Sequence, residues 1–159
     1  MSRNPKHNQS HPRPKIQPPV LAMIHVVLAF LLTWRMPLPM LVPSVLQLVG
    51  FLLVILGFLL GVAALIVFRA ARSGLTPTNS NTRLVTGGVY RFTRNPIYLG
   101  FLLILIGLSL NTGSYWGVFL APLFIALFNR LVILPEEAYL LNKFGDHFTS
   151  YRDRVRRWI

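Results

Sequence analysis

The 159-residue chain has no cysteine, which excludes disulfides, thiolate nucleophiles and thiolate metal sites. Acidic side chains are nearly as scarce: four Asp and Glu stand against sixteen Lys and Arg, a formal net charge of +12. The four histidines, His7, His11, His25 and His147, have none of the HExxH spacing that would place two on one helical face, so no metal centre is expected. What the chain has in abundance is apolar: 53% of it is hydrophobic, only 13% is charged, and the mean hydropathy is +0.56. That composition is far from a soluble domain's and reads as an integral membrane protein of one domain's length. The basic excess then orients apolar spans and meets anionic headgroups, and no nucleic-acid partner is expected.

Residues 1–17 carry Arg3, Lys6, Arg13 and Lys15 among polar residues and prolines, with almost nothing to bury, and are expected to form a disordered basic tail. From 18 to 159 the pattern predicts one all-α membrane domain with about four transmembrane helices, at 20–34, 44–68, 96–111 and 115–134. No small-x-small cleavage site follows the first apolar run, so it is read as a retained span. At 1.5 Å per residue the second run can cross a hydrocarbon core of about 30 Å with some tilt. Pro96 suits the first position of a helix, where its missing N–H costs nothing. Asn111-Thr112-Gly113-Ser114 makes a tight turn that folds spans three and four into a hairpin. Within the spans, Gly57-x-x-x-Gly61 offers a small-residue packing surface, and Gly50/Gly57 and Gly100/Gly107 share a seven-residue spacing.

Lys and Arg number four in the tail, five over 69–94 and five over 143–157, against Arg35 alone on the other side. Fourteen against one places both termini and the central loop in the cytoplasm of a multi-pass protein. Phe144, Phe148, Tyr151, Val155 and Trp158 recur at spacings of four, three, four and three, the stripe of an amphipathic interfacial helix over about 144–158.

The chemistry concentrates in two places. The run Gly87-Gly88-Val89-Tyr90-Arg91-Phe92-Thr93-Arg94-Asn95-Pro96-Ile97-Tyr98-Leu99-Gly100 puts arginines and a turn-forming glycine pair against the start of a helix. Pro135-Glu136-Glu137 supplies the only adjacent acidic pair. The topology delivers both to the same cytoplasmic boundary, where they fit a small charged ligand. A zwitterion would take Arg or free helix N–H groups at its anionic end and a carboxylate at its amine or sugar. The plainer alternative is that Glu136 and Glu137 pair with Arg91, Arg94 or Arg130 to neutralise charge near lipid.

Leu84-Val85-Thr86-Gly87-Gly88-Val89-Tyr90, Arg94-Asn95-Pro96-x-Tyr98-x-Gly100, Glu136-Glu137-x-x-Leu140, and Phe144-Gly145-x-x-Phe148-x-x-Tyr151-x-x-x-Val155 follow one another in order over roughly residues 80–158. Together they resemble the isoprenylcysteine carboxyl methyltransferase and phospholipid methyltransferase family of membrane enzymes. The resemblance implies a cytoplasm-facing pocket for S-adenosyl-L-methionine and a lipidic or prenylated acceptor arriving from the membrane lipid. By position it implies cofactor contacts from Thr82, Arg83, Leu84, Val85, Tyr90, Asn95, Pro96, Ile97, Tyr98 and Glu136. Arg94 would be the catalytic group that orients the acceptor, with Arg130 and Glu137 on the substrate side.

Two departures qualify that transfer. Where the family has Arg-His-Pro this chain has Arg94-Asn95-Pro96, and Asn can donate and accept but not titrate. Where the carboxyl methyltransferases place an arginine one turn before the acidic pair, this chain has Val132, with Arg130 two residues earlier on a different helix face. A carboxylate, amine or thiol acceptor therefore all stay open. So does a non-catalytic membrane scaffold that packs through Gly57 and Gly61 and holds anionic lipid on its basic face.

Overall fold

Proline begins two of the helices, because a residue with no N–H and a fixed φ fits the first turn, where N–H groups have no partner within the helix. The computed structural model describes residues 16–37, 42–72 and 84–159. The tail expected to be disordered therefore lies, up to residue 15, outside the described residues, as do Thr82 and Arg83. The helices are α1 (Pro18–Arg35), α2 (Ser44–Arg72), α3 (Pro96–Thr112), α4 (Trp116–Phe128), α5 (Leu134–Phe144) and α6 (Asp146–Arg154), with a short 3-10 turn at Gly88–Arg91. No strand occurs among the described residues. Pro18–Arg35, Ser44–Ala71 and Trp116–Phe144 are long and apolar enough to cross a membrane, and Pro96–Thr112 is a shorter apolar helix. The protein is a multi-pass helical membrane protein.

The fourth span does not stop at residue 134 as its hydropathy suggested. Helix continues from Trp116 to Phe144 through a wide π turn at Asn129–Ile133. Pro135 explains the position of that turn. It cannot donate to the carbonyl four residues back and its ring crowds that carbonyl, and a local widening relieves both without ending the helix.

Two glycine pairs set the α2–α3 contact. A Cβ on Gly57 would lie 2.5 Å from the carbonyl oxygen of Gly100, and one on Gly50 would lie 2.7 Å from that of Gly107. The reverse tests give 2.6 Å at both Gly100 and Gly107, so the helices run antiparallel with their backbones in contact at two places seven residues apart. Gly61, grouped with Gly57 in the sequence motif, is different: a Cβ there would meet open space. The seam is therefore Gly50/Gly57 on Gly107/Gly100.

The core lies where α1, α3 and α4 meet. Phe124 and Phe128 stack at 4.1 Å between ring centroids, and Leu21, Ala22, Leu105, Val132 and Ile133 are buried around them. His25 is buried beside Phe124 and donates from Nδ1 to the carbonyl of Leu21 (2.8 Å).

The aromatic stripe near the C-terminus does not form one helix over 144–158. Phe144 closes α5, Gly145 takes a positive φ of 52° that ends it, and α6 finishes at Arg154. Val155 is extended, and the carbonyls of Arg156 and Arg157 are taken by residues 93–95 rather than by a further helical turn. Residues 155–159 thus form a strap across the start of α3.

Candidate functional site

At the end of the bundle where α2 finishes and α3 begins, a cavity of about 440 Å³ opens between α2, the 84–95 segment, α5 and α6. Its polar wall includes Tyr90, Arg94, Asn95, Glu136, Glu137 and Lys143, and its apolar wall includes Phe68, Leu84, Val85, Leu140, Phe144 and Phe148. The volume falls within the range of about 300–1,000 Å³ usual for small-molecule sites.

The two acids play different parts. Glu136 accepts a hydrogen bond from the hydroxyl of Tyr98 at 3.1 Å, across the junction between the first turns of α3 and α5. Protein crowds it closely, yet its surface remains accessible, as befits a group on the wall of an open cavity. Glu137 is consumed internally. The Arg157 fork grips both its oxygens, Nε to Oε1 at 3.1 Å and Nη2 to Oε2 at 2.7 Å. Nη1 of Arg94 lies 2.9 Å from the same Oε1, out of line for a hydrogen bond, so that contact is an ion pair only. Nε and Nη1 of Arg94 are buried and have no hydrogen-bond partner among the described residues. Burial lowers the Arg94 pKa, with nearby Glu137 opposing that shift, whereas the hydrogen bonds to Glu137 raise that of Arg157.

Further bonds lock the 90–95 segment in place. The Tyr151 hydroxyl donates to the carbonyl of Tyr90 (2.7 Å), tying α6 to the 3-10 turn. The strap holds the next residues: the Arg94 N–H donates to the Arg156 carbonyl (3.0 Å), and Asn95 Nδ2 to the Arg157 carbonyl (2.9 Å). Burial pushes the phenols of Tyr90 and Tyr151 up to about 12, with Glu136 adding to the effect at Tyr90 and Arg94 opposing it at Tyr151. Both stay neutral hydrogen-bonding groups near neutrality.

Of the residues singled out in the sequence, Leu84, Val85, Tyr90, Arg94, Asn95, Glu136 and Glu137 line the cavity. Tyr98 reaches its wall through Glu136. Pro96 is buried at the start of α3 and Ile97 is half-buried, neither among the lining residues. Arg130 is exposed on the π turn and does not line the cavity, and Val132 is buried in the core. Ile133, Tyr139, Leu140, Lys143 and Phe144 line it too, of which only Leu140 and Phe144 stood in the sequence motifs, neither as a site residue. Leu140, Lys143 and Phe144 follow Glu136 and Glu137 at helical steps of three and four along α5. Arg157 has no such local signal.

The chain is thus a multi-pass helical membrane protein with a charged cavity at one end of its bundle. Comparison with known proteins narrows that class. A family model for phospholipid methyltransferase matches residues 45–147, well over half of the chain, and the chain belongs to that family. Among its relatives, the protein-S-isoprenylcysteine O-methyltransferase of Schizosaccharomyces pombe is 36% identical over 77 residues, 48% of this chain and 33% of the relative. An uncharacterized protein of Haemophilus influenzae is 40% identical over 63 residues, 40% of this chain and all of the relative. Methanethiol S-methyltransferase 1 of Bradyrhizobium diazoefficiens is 34% identical over 77 residues, 48% of this chain and 26% of the relative. The chain thus matches a third or less of the length of the two relatives that carry a named activity.

Proposed function

We propose that the cavity binds S-adenosyl-L-methionine and that the protein transfers its methyl group to a lipidic acceptor at the cytoplasmic face of the membrane. Family membership supports the reaction class. The observation that carries the site assignment is the pairing, on one cavity wall, of an accessible carboxylate with an arginine whose buried Nε and Nη1 have no hydrogen-bond partner among the described residues. Buried polar groups of this kind are nearly always hydrogen-bonded, so Arg94 is open to an acceptor that the described residues do not supply.

When bound, the cofactor supplies a methyl group on a sulfonium whose thioether is already a good leaving group. The protein's share is therefore positioning and exclusion of water. Glu136 takes the cofactor's amine or sugar hydroxyls, with its carboxylate held in place by Tyr98. Leu84, Val85, Tyr90 and Asn95 line the cofactor, with Thr82 and Arg83 ahead of them and Pro96 and Ile97 shaping the helix start behind. Arg94, which lines the cavity, orients the acceptor, and Glu137 sets the charge beside it. Arg130 would meet the acceptor from outside the cavity. Holding nucleophile and methyl group in line supplies most of the rate advantage, and Phe144 and Phe148 keep water from the reacting atoms. The named relatives methylate an oxygen in one case and a thiol in the other. A lipid acceptor with a carboxylate, amine or thiol fits this wall.

Orientation follows from the basic residues: both termini lie in the cytoplasm. The test is calorimetry of the detergent-purified protein with S-adenosylhomocysteine, followed by incubation with labelled S-adenosylmethionine and a total lipid extract. Binding and a labelled lipid are expected. A folded sample with no affinity for either compound would sink the reading and leave a lipid-holding scaffold.

A further inference from the structure

We propose that Glu137 and Arg157 are positioning residues for Arg94, the strap carrying Arg157 into place so that Arg94 keeps its position in the cavity wall. This rests on the reading of the cavity as a methyl-transfer site.

The geometry gives one carboxylate to two guanidiniums. Arg157 takes both oxygens of Glu137 in a two-pronged fork, the strongest arrangement open to such a pair. Arg94 receives only the charge, with its Nη1 2.9 Å from Oε1 and no hydrogen bond formed. Glu137 therefore keeps Arg94 electrically tolerable in a buried position without consuming its donors. Of the three groups, Arg94 and Glu137 line the cavity and Arg157 does not. The surplus positive charge thus falls on the arginine that faces the ligand.

Arg157 maintains this division. Without its fork, Glu137 has both oxygens open, and the nearest donors are those of Arg94. The two would close into a fork of their own and draw Arg94 off the cavity wall. The strap is suited to the task because its backbone is held separately from the Arg157 side chain. The Arg156 carbonyl accepts from the Arg94 N–H. The Arg157 carbonyl accepts from Thr93 Oγ1 (3.2 Å) and Asn95 Nδ2 (2.9 Å), and Trp158 Nε1 donates to Asn129 Oδ1 (3.1 Å). Asn95, standing where the family has histidine, then serves as a fixed amide donor to the strap, a role that needs no titration.

The test uses the full chain in detergent, comparing wild type with Arg157→Ala, Arg157→Lys, Arg94→Ala and the Arg94→Ala/Arg157→Ala pair. Arg157→Ala should keep S-adenosylhomocysteine affinity within about twofold while kcat/KM for the lipid acceptor falls roughly tenfold, a coupling usual within one salt-bridge network. Arg157→Lys should fall between, since an ammonium cannot fork both oxygens. The double variant should be no worse than Arg94→Ala alone. Additive losses, unchanged transfer in Arg157→Ala, or a parallel loss of cofactor affinity would overturn the proposal.

A second measurement needs no ligand. In protein carrying 15N-labelled arginine, the Arg94 Nε–H signal, assigned by its disappearance in Arg94→Lys, should shift and gain exchange protection in Arg157→Ala as it closes on Glu137. A signal that stays put refutes the positioning role even if the protein methylates lipid. A shifted signal upholds it even if wild type transfers no methyl group, in which case only the methyl-transfer reading has failed.

Discussion

The two ends of the α3–α4 hairpin solve the problem of polar groups beside a membrane in opposite ways. At the turn end the groups are neutral and mutually satisfied. Ser109 donates to the Ser114 carbonyl (2.7 Å) and accepts from the Gly117 N–H (2.8 Å). Thr33 and Ser114 share a hydroxyl contact at 2.7 Å, and the Trp116 indole donates to the Met36 carbonyl at 2.8 Å. At the other end the groups are charged, Glu136 is accessible, and two nitrogens of Arg94 have no hydrogen-bond partner among the described residues. A closed network is what holding α1, α3 and α4 together requires. An open one costs stability unless a ligand completes it. Polarity alone therefore does not mark a site; unsatisfied polarity does.

That contrast can be broken by showing that both ends serve the same purpose. The largest expected effect is at the open end. Glu136→Ala should weaken S-adenosylhomocysteine binding by about 1–3 kcal/mol, roughly 10–100-fold by calorimetry, with little change in the thermal midpoint of the apo protein. If the midpoint collapses and affinity holds, Glu136 is structural and the contrast is wrong. At the closed end Ser109→Ala leaves an N–H and a carbonyl unpaired. It should cost about 1–2 kcal/mol of stability in detergent unfolding while affinity stays at the wild-type value. Trp116→Phe removes one partly exposed bond and should cost about 0.5–1 kcal/mol, again without touching affinity.

The smallest effect is one of pH. Tyr90 and Tyr151 titrate near 12 in the folded protein, against about 10 when unfolded. Folding favours the protonated phenol, so its contribution is fully present below pH 10 and is lost as pH rises from about 10 to 12. Melting curves should be insensitive to these groups from pH 7 to 9 and fall above 10. Tyr90→Phe, which keeps the ring and removes the titration, should flatten that fall. An unaltered fall in the variant would assign it elsewhere.

Much of this arrangement was legible in the sequence, because bilayer thickness and helical rise dictate it directly. The four apolar runs mark α1 to α4, Pro96 begins a helix, and Gly50, Gly57, Gly100 and Gly107 mark a packing surface through their shared spacing. The meeting of residues 94–98 with 136–137 followed from counting spans. What escaped was set by particular contacts. Hydropathy falls at Pro135, but the π turn carries the helix ten residues further, and with it Leu140, Lys143 and Phe144 into the cavity wall. The stripe from Phe144 to Trp158 has helical spacing throughout, yet Gly145 and the pairing of the strap with residues 93–95 divide it in three. Arg157 reaches Glu137 only because of that division.

The glycine seam also acts as a gauge. Side chains that interdigitate can slide or swap rotamers, whereas two backbones touching at Gly57/Gly100 and Gly50/Gly107 leave no slack along the helix axis. From Gly57 to Phe68 the helix rises about 16 Å at 1.5 Å per residue, and that fixed length decides how far α2 projects over the cavity. A residue inserted between Gly57 and Phe68 would keep the seam closed and the spans hydrophobic. It would also rotate Phe68 by about 100° and carry it about 1.5 Å further along the cavity. The mouth of the cavity is thus dimensioned by a contact buried deep in the bilayer.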